Sequence, residues 1–323
     1  MLSRTTTLDQ KLAGIPPWLD LEAEITRLRT ERKAVILAHY YQEAEIQDLA
    51  DFLGDSLALA QAARDTDAEV ILFAGVHFMA ETAKILNPER TVIVPDMDAG
   101  CSLADACPAD QLAAWKAEHP DHLVVAYINC SAGTKALADI ICTSGNAEKV
   151  VRSLPPEKPV LFVPDRNLGG WLNRTLGLSM DLWPGTCIVH ETFSERQILE
   201  EKAAHPEALF IAHPECEPPV LRHADFVGST ARLLRFVQES EAASFIVGTE
   251  TGILHQMKKL APGKTFIAAP YEEGGCACNE CPYMKLNTLE KIYLALRDLE
   301  PRIEMDPDLI RKARVPLERM LAL

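Results

Sequence analysis

The sequence predicts an α/β fold of three similar αβα units, with parallel sheets arranged around a pseudo-threefold axis. Three observations predict it: short apolar runs that each stop at a polar residue, glycine or proline, helical stretches between them, and one seven-residue pattern that occurs three times at a nearly constant interval.

The apolar runs come first. Residues 35–38 precede His39, residues 70–74 precede Gly75, and residues 92–95 precede Asp96. Residues 123–128 precede Asn129, 160–164 precede Asp165, and 209–212 precede His213. Residues 245–247 precede Gly248, and 265–269 precede Pro270. Continuous runs rich in Val and Ile read as parallel strands buried on both faces. Residues 44–53, 111–118, 195–204 and 230–237 read as the helices between them. Such alternation makes βαβ units, whose ligand-facing residues lie at the carboxyl ends of the strands.

The repeat reads Ala-Asp-Phe-Leu-Gly-Asp-Ser at residues 50–56, Ala-Asp-Ile-Ile-Cys-Thr-Ser at 138–144 and Ala-Asp-Phe-Val-Gly-Ser-Thr at 224–230, at intervals of 88 and 86 residues. Each copy follows a strand-end polar residue: His39, Asn129 or His213. Three copies closing around an axis bring these three residues and Ser56, Ser144 and Thr230 to one pocket. A hydroxyl in a turn before a helix suits a carboxylate or phosphate. The competing reading makes each of the three an ordinary helix N-cap.

Of the nine cysteines, Cys101, Cys187 and Cys281 fall 45, 43 and 51 residues beyond the hydroxyl of their repeat. One thiolate per unit at the axis gives three ligands to a metal centre, and a [4Fe–4S] cluster so held keeps one iron open as a Lewis acid. Spacing alone leaves Cys107 in competition with Cys101, and Cys276 and Cys278 with Cys281. Cys130, Cys142 and Cys216 read as buried structural thiols.

Composition excludes other classes. A formal charge of −15 without a Lys/Arg run argues against nucleic acid. No apolar stretch approaches a membrane span, and residues 1–20 carry no secretory h-region, so the expected compartment is the cytoplasm. The expected organisation is residues 1–110 as the first unit with an amphipathic N-terminal prelude (Trp18, Leu19, Leu21, Ile25, Leu28), 111–195 as the second and 196–285 as the third. Residues 286–323 form two helices packing back against the first unit.

Taken together, Ala38-His39-Tyr40-Tyr41-Gln42, Gly54-Asp55-Ser56, Gly100-Cys101-Ser102, Tyr127-Ile128-Asn129, Thr143-Ser144, Pro164-Asp165-Arg166-Asn167-Leu168, Cys187-Ile188-Val189-His190, His213-Pro214-Glu215-Cys216 and Cys281-Pro282-Tyr283-Met284 resemble the quinolinate synthase family, in order, from about residue 33 to the C-terminus. The resemblance implies three αβα domains with a [4Fe–4S] cluster at their junction, held by Cys101, Cys187 and Cys281. It implies condensation of iminosuccinate with dihydroxyacetone phosphate to quinolinate, phosphate and water, a step of NAD biosynthesis. An L-aspartate-oxidising enzyme is then the expected source of iminosuccinate. Implied substrate contacts are His39, Ser56, Tyr127, Ile128, Asn129, Ser144, His213, Pro214, Glu215 and Thr230. Some members of the family carry extra cysteines near Cys276 and Cys278 that pair as a regulatory disulfide.

Tyr41 and Glu215 are the expected acid/base pair, with His190 as a further catalytic group and His39 and His213 orienting anionic oxygens. The bland alternatives have Tyr41 packing on Tyr40, and Arg166 and Asn167 only capping a helix. Two rival functions remain: an iron–sulfur sensor or electron carrier, and a zinc hydrolase built on His213, Glu215 and cysteines.

Overall fold

The computed structural model describes residues 7–270 and 279–323; Cys276 and Cys278 lie outside the described residues. The described residues form three four-stranded sheets. The first contains β1 (Ala34–His39), β2 (Phe52–Gly54), β3 (Val70–Ala74) and β4 (Thr91–Ile93). The second contains β5 (Leu123–Tyr127), β6 (Ile140–Cys142), β7 (Val160–Val163) and β8 (Asp181–Leu182). The third contains β9 (Leu209–Ala212), β10 (Phe226–Val227), β11 (Ser244–Gly248) and β12 (Thr265–Ala268).

Strand order is the same in all three, β2-β1-β3-β4, β6-β5-β7-β8 and β10-β9-β11-β12, and the strand pairs are parallel. The α/β fold of three similar units is therefore as the sequence predicts.

The repeated Ala-Asp dipeptide has a structural cause. Asp51 Oδ2 accepts the Ile36 N–H at 2.9 Å, Asp139 Oδ2 the Val124 N–H at 2.8 Å, and Asp225 Oδ2 the Phe210 N–H at 2.8 Å. In return the Asp51, Asp139 and Asp225 N–H groups donate to the carbonyls of Ile36, Val124 and Phe210. One aspartate thus satisfies both backbone groups that its edge strand leaves open, and starts that strand in register. This also corrects the helix expected over residues 44–53. It ends at Leu49, because Asp51 turns the chain into β2.

The helices that follow β2 and β10 are Ser56–Asp65 and Thr230–Glu239, and their N-caps are Asp55 and Ser229, whose side chains accept from Ala58 N and Arg232 N. The reading of Ser56 and Thr230 as N-caps fails by one residue. Their hydroxyls are left for other partners. The three units meet at these turns. A Cβ placed on Gly145 would lie 3.6 Å from Ser229 Oγ and 3.8 Å from Asp55 Oδ2, side chains of the third and first units.

One apolar cluster runs from Leu37 and Phe73 in the first unit to Val125 and Phe162 in the second, so these two sheets share a core. Separate clusters cover the two faces of the third sheet. Helix Leu21–Glu31 buries Ile25 and Leu28 against helix Leu289–Asp298 beside the first sheet. Trp18, expected on that face, is 84% exposed, because it sits in the turn before the helix. Of the two C-terminal helices only Leu289–Asp298 packs on the first unit alone. Helix Pro307–Leu321 lies on helix Ala132–Lys135 and β6 of the second unit as well as on helix His77–Leu86. No helix of the described residues is long and apolar enough to cross a membrane.

Candidate functional site

The strand ends and repeat turns open on one cavity enclosing about 750 Å³, part of it open to solvent. His39, Tyr41, Ser56, Cys101, Tyr127, Asn129, Ser144, Cys187, His190, His213, Glu215, Thr230 and Cys281 all line it. Ile128 and Pro214 do not. The Ile128 side chain is buried and its N–H donates to Cys142 O.

The first and third units present their strand ends alike. The Tyr41 N–H donates to His39 Nδ1 at 3.2 Å, and the Glu215 N–H to His213 Nδ1 at 3.4 Å. Tyr41 and Glu215 are thus repeat equivalents, each two residues past its histidine. With Nδ1 accepting, each neutral imidazole carries its proton on Nε2. For His213 that nitrogen is 3.2 Å from Ser144 Oγ of the second unit. Burial holds both histidines far below their usual range, to about 3, so both are neutral at neutral pH. In the second unit the equivalent strand end is Asn129, whose Oδ1 is buried without a partner among the described residues. A buried, unpaired carbonyl beside a cavity asks for a ligand donor.

Glu215 is the most engaged side chain. Its Oε1 accepts from Tyr127 Oη at 2.5 Å, and its Oε2 lies 2.9 Å from His190 Nδ1. Burial opposes its charge, but His190 and the Tyr127 hydroxyl outweigh that and hold the carboxyl below the usual carboxylate range. Tyr127 moves the other way, well up, because burial and the adjacent carboxylate both disfavour a phenolate. The Glu215 carbonyl accepts from Asn167 Nδ2 at 3.1 Å. Asp165 rather than Asn167 caps helix Arg166–Leu176, accepting from the Asn167 and Leu168 N–H groups. Asn167 therefore does more than cap.

The acid/base pair expected from the sequence does not touch. Tyr41 Oη instead lies 2.8 Å from Thr249 Oγ1 and 3.1 Å from Thr230 Oγ1, and Thr249 Oγ1 is 2.9 Å from His190 Nε2. Sequence reasoning missed Thr249 and its neighbour Glu250, both fully buried just past β11. Glu250 accepts from the Gly252 N–H at 2.7 Å and the Cys281 N–H at 3.3 Å, and pairs with Lys285 at 3.3 Å. Their signal was their phase. Asp165 stands at the same place past β7.

The three cysteines of the repeat are alike in their surroundings. Cys101 receives the Ala104 N–H, Cys187 the His190 N–H and Cys281 the Met284 N–H, each three residues on. Burial raises all three thiols, Cys101 to about 12 and Cys281 to about 11; neighbouring thiols of the trio contribute at Cys101 and Cys187, and Glu250 at Cys281. Three thiols aimed at one cavity with backbone donors in place fit a multivalent cation, which removes the cost of ionising them together. His190 Nδ1 is also 3.2 Å from Cys187 Sγ, and the ligand atoms of Cys187, His190 and Glu215 lie within 4.8 Å of one another, so this trio alone could hold a metal ion. Cys107, the competitor of Cys101, is buried outside the cavity, its carbonyl bonded to Thr134 Oγ1 at 2.8 Å. Cys130, Cys142 and Cys216 are fully buried, as structural thiols should be.

Comparison with known proteins gives a family and several close relatives. Residues 23–322 match the family model described as NadA, quinolinate synthetase A protein. A quinolinate synthase from Nostoc sp. (strain PCC 7120) is 61% identical over 308 residues, covering 95% of this chain and 94% of that one. One from Thermosynechococcus vestitus is 61% identical over 303 residues, 94% of this chain and 95% of its own length. One from Trichodesmium erythraeum is 54% identical over 323 residues, covering all of this chain and 99% of the relative.

Proposed function

This chain belongs to the quinolinate synthetase A family and is an enzyme of that kind, and we propose that it condenses iminosuccinate with dihydroxyacetone phosphate to quinolinate, phosphate and water. The observation that carries the proposal is the convergence of three similar cysteines with His39, Asn129, His213 and Glu215 on one cavity. A carrier of electrons has no use for such a polar pocket beside its metal.

Cys101, Cys187 and Cys281 would hold a [4Fe–4S] cluster. Bound there, the cluster supplies one iron without a protein ligand as a Lewis acid. The remaining work falls to the chain. The imidazoles of His39 and His213, neutral with a proton on Nε2, donate to carboxylate oxygens, and the Ser56, Ser144 and Thr230 hydroxyls add hydrogen bonds around them. Asn129 accepts an N–H of the substrate. Tyr127 completes the contacts; Ile128 and Pro214 do not line the cavity, and both backbone groups of Ile128 are already bonded, to Cys142 and Cys130. Glu215, kept ionised by His190 and Tyr127, takes protons, and Tyr41, un-ionised, returns them. Apolar Val76, Phe78, Met79 and Met284 exclude water from the cavity. We read the three units as residues 1–110, 111–195 and 196–285 with a C-terminal segment 286–323. An L-aspartate-oxidising enzyme in the same cytoplasm would supply the imine.

The Cys187–His190–Glu215 trio keeps zinc hydrolysis as a second reading. The test is turnover by protein purified without air. Freshly generated iminosuccinate and dihydroxyacetone phosphate should yield quinolinate and phosphate in equal amounts. Phosphate release without quinolinate contradicts the proposal.

A further inference from the structure

Lys135 is among the largest side chains that the fold buries completely. It ends helix Ala132–Lys135, which follows the Asn129–Cys130 turn. Its Nζ donates to the Cys130 carbonyl and lies 5.2 Å from the centre of the Phe78 ring. Among the described residues no carboxylate pairs with it. Glu81, whose charge also reaches the Cys130 thiol, accepts the Ala132 N–H at 2.9 Å and lies 3.8 Å from His77 Nε2. Cys130 brings no counter-charge either. Burial pushes that thiol up to about 11, although Lys135 pulls the other way.

Both partners of Lys135 belong to the cavity wall. Phe78 lines the cavity, and so does Asn129, the residue before Cys130. The ammonium therefore stands one layer behind the surface that a ligand meets. That surface has no fixed cation of its own. Among the described residues no Lys or Arg lines the cavity, whereas Asp55, Glu215 and Glu250 do, and burial keeps His39 and His213 neutral. An ammonium sealed in the interior is unfavourable unless an anion answers it. One carbonyl and one ring face recover only part of that. An anion in the cavity supplies the rest, because across roughly 10 Å of protein interior one unit charge changes affinity about tenfold.

We propose that Lys135 is a specificity-determining residue, whose field favours doubly charged carboxylate ligands in the cavity without touching them. The inference rests on the reading of this cavity as the seat of a dicarboxylate substrate, and the experiment separates the two. Wild type, Lys135→Met, Lys135→Gln and Glu81→Gln are prepared without air, and melting temperature and iron content are recorded. Calorimetric titration then gives Kd for succinate, a dianion, and for succinamate, its monoanion of the same length.

Lys135→Met keeps the length of the side chain, and Lys135→Gln keeps a donor for the Cys130 carbonyl. Both lose the charge. In each, Kd for succinate should rise about 10- to 100-fold and Kd for succinamate only about 3- to 10-fold, since the attraction scales with ligand charge. A merely structural role would displace Asn129 and weaken both ligands alike. Glu81→Gln keeps an acceptor for the Ala132 N–H and should act in the opposite sense, tightening succinate over succinamate by about threefold. If neither neutral variant of Lys135 folds, that arm decides, and an unchanged or reversed preference there overturns the proposal. Equal weakening of both ligands in the Lys135 variants, or wild-type affinity for succinate, also overturns it. Wild type that binds neither ligand overturns the parent reading and this proposal with it.

Discussion

His190 Nδ1 and Glu215 Oε2 stand 2.9 Å apart with both side chains sealed from solvent, and the partner is what keeps that carboxylate charged. A lone buried carboxylate would take up a proton instead. The pair sits between the Tyr127 hydroxyl and the Thr249 hydroxyl, so its charge, orientation and direction of donation are all set by neighbours.

Glu215→Gln should fold normally and keep its iron while losing turnover. The amide cannot accept a proton, and general-base catalysis is worth about 10²- to 10⁴-fold. Steady-state rates and iron content on the same preparation check this. A variant with wild-type turnover removes Glu215 from the role.

Cysteine substitutions should sort by position in the repeat. Cys101→Ala, Cys187→Ala and Cys281→Ala should each lose the visible absorption and most of the iron, because each removes one of the three thiols proposed to hold the cluster. Cys107→Ala should keep both, since that thiol faces the core. The order reversed for Cys101 and Cys107 would refute the ligand assignment.

The three repeat aspartates should behave as one residue measured three times. Asp51→Ala, Asp139→Ala and Asp225→Ala each strip the acceptor from a strand N–H. Each should cost about 1–3 kcal/mol, the penalty for an unsatisfied buried donor. Urea unfolding of the three variants measures it, and a variant equal to wild type would remove that aspartate's structural role.

Acid should weaken the fold through His39 and His213. Both are lowered to about 3 by burial, below an unfolded value of about 6.5. Stability from a lowered histidine is present above the unfolded value and is lost as pH falls toward the folded one. The slope is about 1.4 kcal/mol per pH unit for each group. Urea midpoints should therefore drop between pH 6 and 4, and less steeply in His39→Gln.

The sequence made the long strands legible because runs such as residues 70–74 and 209–212 are apolar throughout. It could not reveal β8, two residues long and beginning with Asp181, whose strand character comes from pairing with Leu161 and Phe162. The repeat located His39, Asn129 and His213 through their common phase. Thr249 and Glu250 escape a reading of the sequence because the apolar run before them stops at Gly248, whereas their burial comes from His190, Tyr41 and Cys281, distant in the chain. Trp18 was misplaced for the opposite reason. Periodicity sees apolar spacing, but the helix begins only at Leu21.

The most direct test of the central claim is iron and sulfide analysis with Mössbauer spectroscopy on protein isolated without air, before and after adding iminosuccinate. The account predicts about four irons and four sulfides per chain, as one [4Fe–4S] cluster requires, with a single iron site changing on substrate addition. A protein that holds zinc, carries no cluster, or shows four irons indifferent to substrate would contradict it.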